Sequence, residues 1–270
     1  MIKTRLLNVG PIPTMEAEIH IAGQLRSDMN RLKGEFYDLE QGKVDYQAMR
    51  NSQAYRDYVA CSNLLQGFDP LTLETRREKL AFWINLYNTL VIHGIIELDI
   101  KDSVKETRGF FSRIGYIIGG EVYTPNAIEH GILRANHRPF MGLFRPFRAK
   151  DSRLRHIIDP PDPRIHFTLV CASSSCPPIN FYTAENLEKQ LEIAAKGFIN
   201  GAEVNIAPEK NLLELSPIFR WYKPDFGGGR LGILQTLLRY LDPGDSRDFV
   251  KQQGIRARIV WKNYDWRLNR

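Results

Sequence analysis

Ile21, Leu25, Met29, Leu32 and Phe36 recur at three- and four-residue spacing with charges between them, the stripe of an amphipathic helix. Tyr55, Val59 and Leu65 continue the theme in a second helix. From Thr75 to Leu98 the pattern changes. Thr75 and Glu78 have the spacing of a capping box, and the apolar residues that follow occupy nearly every face, so this helix must be enclosed by protein. Asn85, Asn88 and His93 interrupt the run, which argues against a membrane span. Buried amides are costly without partners, so Asn85 and Asn88 are expected to satisfy the backbone of neighbouring loops, or else to orient a catalytic group.

Beyond residue 110 the punctuation is that of hairpins and short helices. Gly119-Gly120 joins Tyr116–Ile118 to Glu121–Tyr123, and Thr124-Pro125 opens a short helix carrying Asn126, Glu129, His130 and Arg134. His137 to Arg164 lacks periodicity and reads as a long loop. His166 to Cys171 reads as a strand entering the small-residue turn Ala172–Ser175. Thr183 caps a helix burying Leu187, Leu191, Ala195 and Phe198. Val204–Ala207 and Asn211–Leu215 form a second hairpin, Ser216-Pro217 opens another helix, Leu231–Leu241 is amphipathic, and Arg258–Trp266 is a closing strand. The class is α+β, helices around an antiparallel or mixed sheet, in an element order that suggests a papain-like or transglutaminase-like arrangement. Residues 1–50 read as an N-terminal helical extension and 51–270 as a single domain. The Gly227–Gly229 break lacks a preceding strand and a following Lys-Ser/Thr, so it is not a phosphate loop.

Composition narrows the function only slightly. The 270 residues are 43% hydrophobic, ample for a core, and MIKTRLLNVGPIPT has no apolar run of signal-peptide length, so a cytoplasmic protein without a membrane partner is expected. Three cysteines, Cys61, Cys171 and Cys176, argue for free thiols in a reducing compartment. A net charge of +6 favours an anionic partner, such as an acidic peptide, without making the chain a nucleic-acid binder.

LAFWINLYNTL (80–90), NAIEHGILR (126–134), DPRIHFTLVCASSSCPP (162–178), LSPIFRWYKPDFG (215–227) and YDWRLN (264–269) together resemble the domain-of-unknown-function family 547. The resemblance runs from about residue 55 to the end. It implies a domain of bacteria, plants and animals, at times joined to glutaredoxin-like or DEP domains, and it implies no activity. It ranks Cys171 above Cys176 as the family thiol, because plant members often carry Ser at the second position.

A cysteine at the end of a strand, entering a turn of small residues, has the setting of a nucleophile with backbone donors for an oxyanion. Cys171 is that candidate, and His130, from another element, is its candidate base. His166 is set aside because five extended residues would place it about 16 Å away. Glu129 points away from its neighbour's ring and would act as a separate acid or base, with Asp265, Asn85 or a carbonyl holding the imidazole. Arg134, one turn from His130, disfavours the imidazolium. Cys176, held extended before Pro177-Pro178, reads as a resolving thiol, a metal ligand or simply an exposed side chain. A zinc site from His130, His166, Cys171 and Cys176 lacks motif spacing, so neither metal nor cofactor is expected.

These residues point to a thiol-dependent hydrolase or acyltransferase acting on an amide or ester. The alternative is a non-catalytic interaction scaffold. In both, Arg138, Arg145, Arg148, Lys150, Arg153 and Arg155, interleaved with Phe140, Phe144 and Phe147, supply a basic loop, read either as a lid that attracts an acidic ligand or as solvated surface.

Overall fold

The computed structural model describes residues 3–12, 21–38 and 40–270. The leaderless reading of the first residues rests partly on Met1, Ile2, Pro13 and Thr14, which lie outside the described residues. The chain runs β1 (Arg5–Leu6), α1 (Ile21–Phe36), β2 (Tyr37–Asp38), β3 (Lys43–Val44), α2 (Tyr46–Asn51), α3 (Gln53–Ser62) and α4 (Arg76–Glu97). It continues through α5 (Phe110–Arg113), β4 (Ile114–Ile118), β5 (Glu121–Tyr123), a π-helical turn at Ala127–Leu133, and α6 (Leu187–Ile199). It closes with β6 (Val204–Ala207), β7 (Leu212–Leu215), α7 (Ile218–Trp221), α8 (Arg230–Tyr240), α9 (Asp245–Gln253) and β8 (Arg258–Trp261). The fold is α+β.

Among the described residues the strands form small sheets. β4 pairs with β1 in parallel and with β5 antiparallel, β2 with β3 antiparallel, and β7 with β6 antiparallel and β8 in parallel. The β4–β5 turn needs left-handed backbone at Gly119 and Gly120, where φ is 55° and 81°.

The fully apolar helix is the axis of the larger core. Thr75 Oγ1 accepts from the Glu78 amide at 3.2 Å, and the Glu78 carboxylate accepts from the Thr75 amide at 2.7 Å, completing the capping box. From Leu80 to Ile96 every residue but Asn85 is buried. Around α4 gather α1, α2, α3, β4, β5 and the π-helical turn, in one apolar cluster that includes Met29, Leu32, Trp83, Tyr116 and Ile128. A second cluster is built from α6, the β6–β7–β8 sheet and α7 to α9, around Phe167, Leu213, Phe219 and Leu237.

Both asparagines of α4 act as clasps. Asn85 Nδ2 donates to the Tyr182 carbonyl and its Oδ1 accepts from the Tyr182 amide, each at 2.8 Å. Asn88, fully buried, donates to the Thr168 carbonyl at 3.0 Å and accepts from the Val170 amide at 2.9 Å.

Several expectations are corrected. His166–Cys171 is not a strand: Pro163–Phe167 is a 3-10 helix, capped by Asp162, whose side chain accepts from the Arg164 amide at 2.9 Å. Thr168–Val170 then follows Asn88 rather than a sheet. The helix after Thr183 begins only at Leu187, with the Asn186 amide donating to Thr183 Oγ1 at 3.2 Å. The closing strand stops at Trp261 and resumes only as isolated bridges at Arg267 and Leu268. The 137–164 loop contains a 3-10 turn, Ser152–His156, capped by Asp151.

One glycine fixes the α7–α8 corner. A Cβ at Gly232 would come within 1.9 Å of the Phe226 carbonyl oxygen, backbone that cannot swing aside. Gly232→Ala is expected to destabilise the fold by about 1–3 kcal/mol, read as a lower urea midpoint.

Candidate active site

The two apolar clusters meet along a seam, and a cavity of about 190 Å³ opens there. Tyr87, Phe111 and Trp266 line it from one side, and Ile218, Trp221 and Tyr264 from the other. Cys171, Cys176, Glu129, His130 and His166 all face the same space.

The cysteines are held by a tight turn that the C-terminal segment braces. Ala172 takes a left-handed backbone at φ 59°, and the Cys176 amide donates to the Ser173 carbonyl at 2.9 Å. The Ser174 amide donates to the Arg267 carbonyl at 2.8 Å, and the Asp265 amide donates to Ser175 Oγ at 3.0 Å. The turn aims the Cys171 backbone N–H at Cys176 Sγ, 2.8 Å away. Tyr264 places its hydroxyl 3.2 Å from Cys171 Sγ and 3.3 Å from Cys176 Sγ, and Ser173 Oγ lies 3.1 Å from Cys171 Sγ.

The two thiols are therefore not equivalent. Burial pushes the Cys171 thiol well above its ordinary range, and its neighbour Cys176 pushes it further. Burial opposes ionisation of Cys176 too, but donation from the Cys171 thiol, the Tyr264 hydroxyl and the Cys171 amide outweighs it and brings Cys176 down to about 6. Burial, together with the adjacent cysteines, holds Tyr264 protonated and so able to donate.

The π-helical turn supplies the opposite wall. Its wide register shows in the Arg134 amide, which donates to the Glu129 carbonyl at 2.9 Å, five residues back. Thr124 caps the entry, its Oγ1 accepting from the Ala127 amide at 3.2 Å. Tyr222 donates to Glu129 Oε1 at 2.6 Å. Burial opposes the Glu129 charge, but His130 and the Tyr222 hydroxyl prevail and hold the carboxyl below its usual range.

Arg134 Nη1 lies 2.8 Å from His130 Nδ1. A guanidinium only donates, so Nδ1 accepts and the proton of the neutral ring sits on Nε2. Burial lowers the His130 pKa; Glu129 opposes that shift, and Arg134 adds to it. The imidazole thus offers the site a donor.

Behind this wall Arg134 grips both oxygens of Asp225. The same carboxylate accepts from His166 Nε2 at 2.8 Å and from His137 Nδ1 at 3.2 Å. His166 stacks on the Tyr222 ring, with centroids 3.8 Å apart. Burial opposes the Asp225 charge, but His166 and Arg134 hold its carboxyl well below the usual carboxylate range.

The structure thus brings Cys171, Cys176, Glu129 and His130 to one cavity. It adds His166, whose assumed distance depended on a strand that does not form. Asn85 and Asp265 do not join them: Asn85 clasps Tyr182, and Asp265 pairs with Arg267 at the surface. Arg134 bonds the His130 ring, and Glu129 Oε1 lies 3.5 Å from the same Nδ1, so the carboxylate expected to point away from its neighbour faces it instead. Among the described residues no three His, Cys, Asp or Glu side chains converge so as to hold a metal ion. Tyr222, Asp225 and Tyr264 were not anticipated individually, although they sit in LSPIFRWYKPDFG and YDWRLN.

Comparison with family models matches residues 71–199 to the family described as "Protein of unknown function, DUF547", which bears out the resemblance over the segment that holds the motifs at 80–90, 126–134 and 162–178; those at 215–227 and 264–269 lie outside the match. The matched segment holds both site cysteines, Glu129, His130 and His166, whereas Tyr222, Asp225 and Tyr264 lie beyond it. No curated protein and no solved structure matches the chain. No helix among the described residues is long and apolar enough to cross a membrane.

Proposed function

We propose that the segment matching DUF547 over residues 71–199 is the centre of a thiol-dependent hydrolase or acyltransferase acting on an amide or ester, with Cys176 rather than Cys171 as nucleophile. The observation that carries this reading is Cys176 Sγ accepting the Cys171 N–H with the Tyr264 hydroxyl beside it, in a cavity shared with Glu129 and His130. Backbone and phenol donors stabilise a thiolate without a general base, which suits a histidine that already presents a proton.

In this mechanism the Cys176 thiolate attacks the carbonyl carbon while His130 Nε2–H donates to the carbonyl oxygen. A carbon–sulfur bond forms, the carbon–oxygen or carbon–nitrogen bond breaks, and the leaving group takes a proton from solvent. Water then releases the acyl group as a carboxylic acid, its proton passing to Glu129. Cys171 positions Cys176 through its amide and remains a thiol. A different acceptor in place of water makes the same cycle a transferase.

With 4-nitrophenyl acetate, the full chain is expected to release a burst of about one equivalent of nitrophenol and to carry an acetyl adduct on Cys176. Cys176→Ala should abolish both, and Cys171→Ala should retain the burst. An adduct confined to Cys171 or Cys61, or a burst that survives Cys176→Ala, would refute the assignment. Labelling by iodoacetamide adds a pH test. Cys176 should react with a midpoint near pH 6, its rate rising with pH as the thiolate forms, while Cys61, pushed by burial up to about 12, stays slow. A midpoint near the ordinary thiol value of about 8.5 would show that the donors do not act on it.

A further inference from the structure

The loop after the π-helical turn is closed at its base and open at its tip. Asn136 Nδ2 donates to the Phe147 carbonyl at 3.0 Å, and its Oδ1 accepts from the Phe147 amide at 2.9 Å, so residues 137–146 project from a clasp. Phe147 itself is buried, with the Arg153 guanidinium 4.4 Å from its ring centroid. Arg153 also pairs with Asp151 and donates to the Val122 carbonyl, which ties it to the body of the protein. Arg134 holds the other strand of the loop through the Arg138 carbonyl at 3.2 Å.

At the tip, left-handed backbone at Met141 and a bond from the Gly142 amide to the Pro139 carbonyl make a tight turn. That turn displays large apolar side chains to solvent: Phe140 is 43% exposed, Met141 87%, Leu143 77% and Phe144 81%. Isolated exposed apolar residues are ordinary, but four within five consecutive positions form a patch. Arg138, Arg145, Arg148 and Lys150 flank it, all exposed. Among the described residues no acidic side chain pairs with them.

We propose that this loop docks the protein on an anionic lipid surface. The apolar tip enters the boundary between headgroups and acyl chains, and the four cations on either side meet the lipid phosphates. Charge alone fits an acidic protein and an anionic membrane equally. The tip decides between them, because an exposed apolar turn flanked by cations matches the order of a bilayer boundary, anionic headgroups above acyl chains. Phe140 lies 6.4 Å from Trp221, a wall of the cavity, so docking sets the cavity beside the membrane surface. The inference is independent of the cavity's chemistry.

The test sediments the full chain with vesicles of phosphatidylcholine alone, or of phosphatidylcholine with about 30 mol % phosphatidylserine. Binding is expected only to the serine-containing vesicles, and it should weaken at about 0.5 M salt. Leu143→Ser with Phe144→Ser should lower that affinity by roughly tenfold or more while Cys176 labelling is unchanged. Arg145→Gln with Arg148→Gln should lower it at low salt. Should the double serine variant fail to fold, Met141→Ser makes the same comparison at the most exposed position.

The proposal is overturned if the wild type binds neither vesicle. It is also overturned if loss of the apolar tip leaves binding intact, which is attraction to a polyanion. Capture of polyglutamate without vesicle binding would assign the loop to an acidic protein instead.

Discussion

Asp225→Asn is expected to cost about 3–5 kcal/mol of stability at pH 7, because it leaves a buried guanidinium without its counter-ion. The Arg134 and Asp225 side chains are 2% and 1% exposed, and the guanidinium has no route to water that would compensate. The loss should appear as a lower midpoint in urea. It should also depend on pH. The Asp225 carboxyl is held well below its unfolded value, so its contribution is fully present above that value, about 3.9, and disappears as the pH falls through the folded value. The difference between wild type and variant should therefore shrink on acidification. An unchanged urea midpoint at pH 7 would mean that Arg134 finds other acceptors and that the carboxylate is not what retains it.

Asn88→Ala is the second large expectation, at about 2–5 kcal/mol, since it strands a buried carbonyl and a buried amide at once. Those groups belong to Thr168 and Val170, immediately before Cys171, so the damage should reach the thiols. The Cys176 labelling midpoint should move up toward the ordinary thiol range as the Cys171 amide loses its aim. Asn88→Asp at pH 7 sets a carboxylate oxygen against the Thr168 carbonyl in a fully buried place, so its stability should fall at least as far as that of Asn88→Ala and recover as acid protonates the new side chain. Stability loss without any change in labelling would separate the clasp from the cysteine turn.

What the sequence disclosed was mostly local. The Thr75/Glu78 capping box, the Gly119-Gly120 hairpin and the all-round apolar run of α4 each depend on neighbours within a few residues, and each is present in the fold. The segment 163–171 misled because Ile, Phe, Leu and Val favour strands, while the contrary signal, Asp162 before Pro163, is a cap and first helical position. Asn88 then supplies the hydrogen bonds a sheet would have supplied. The candidate site was legible in residue type but not in partnership. Asp225 meets Arg134 across 91 positions and His166 across 59, and Tyr264 meets Cys171 across 93, separations at which periodicity carries no information. Nor do the residues alone separate the two thiols, because the Tyr264 hydroxyl and the Cys171 amide that bear on Cys176 are contacts of the folded turn.

The width of the turn at Ala127–Leu133 bears on chain length as well as on geometry. A deletion of one residue there would restore ordinary α-helical bonding and leave the apolar composition nearly intact. Side chains beyond the deleted position would keep nearly their orientation, because the wide turn already holds about one residue more than an α-helical turn, whereas the same deletion in an α-helix would rotate them by about 100°. The wide turn is therefore the place where this chain can absorb a one-residue difference in length while the Arg134 guanidinium stays on Asp225 and on the His130 ring.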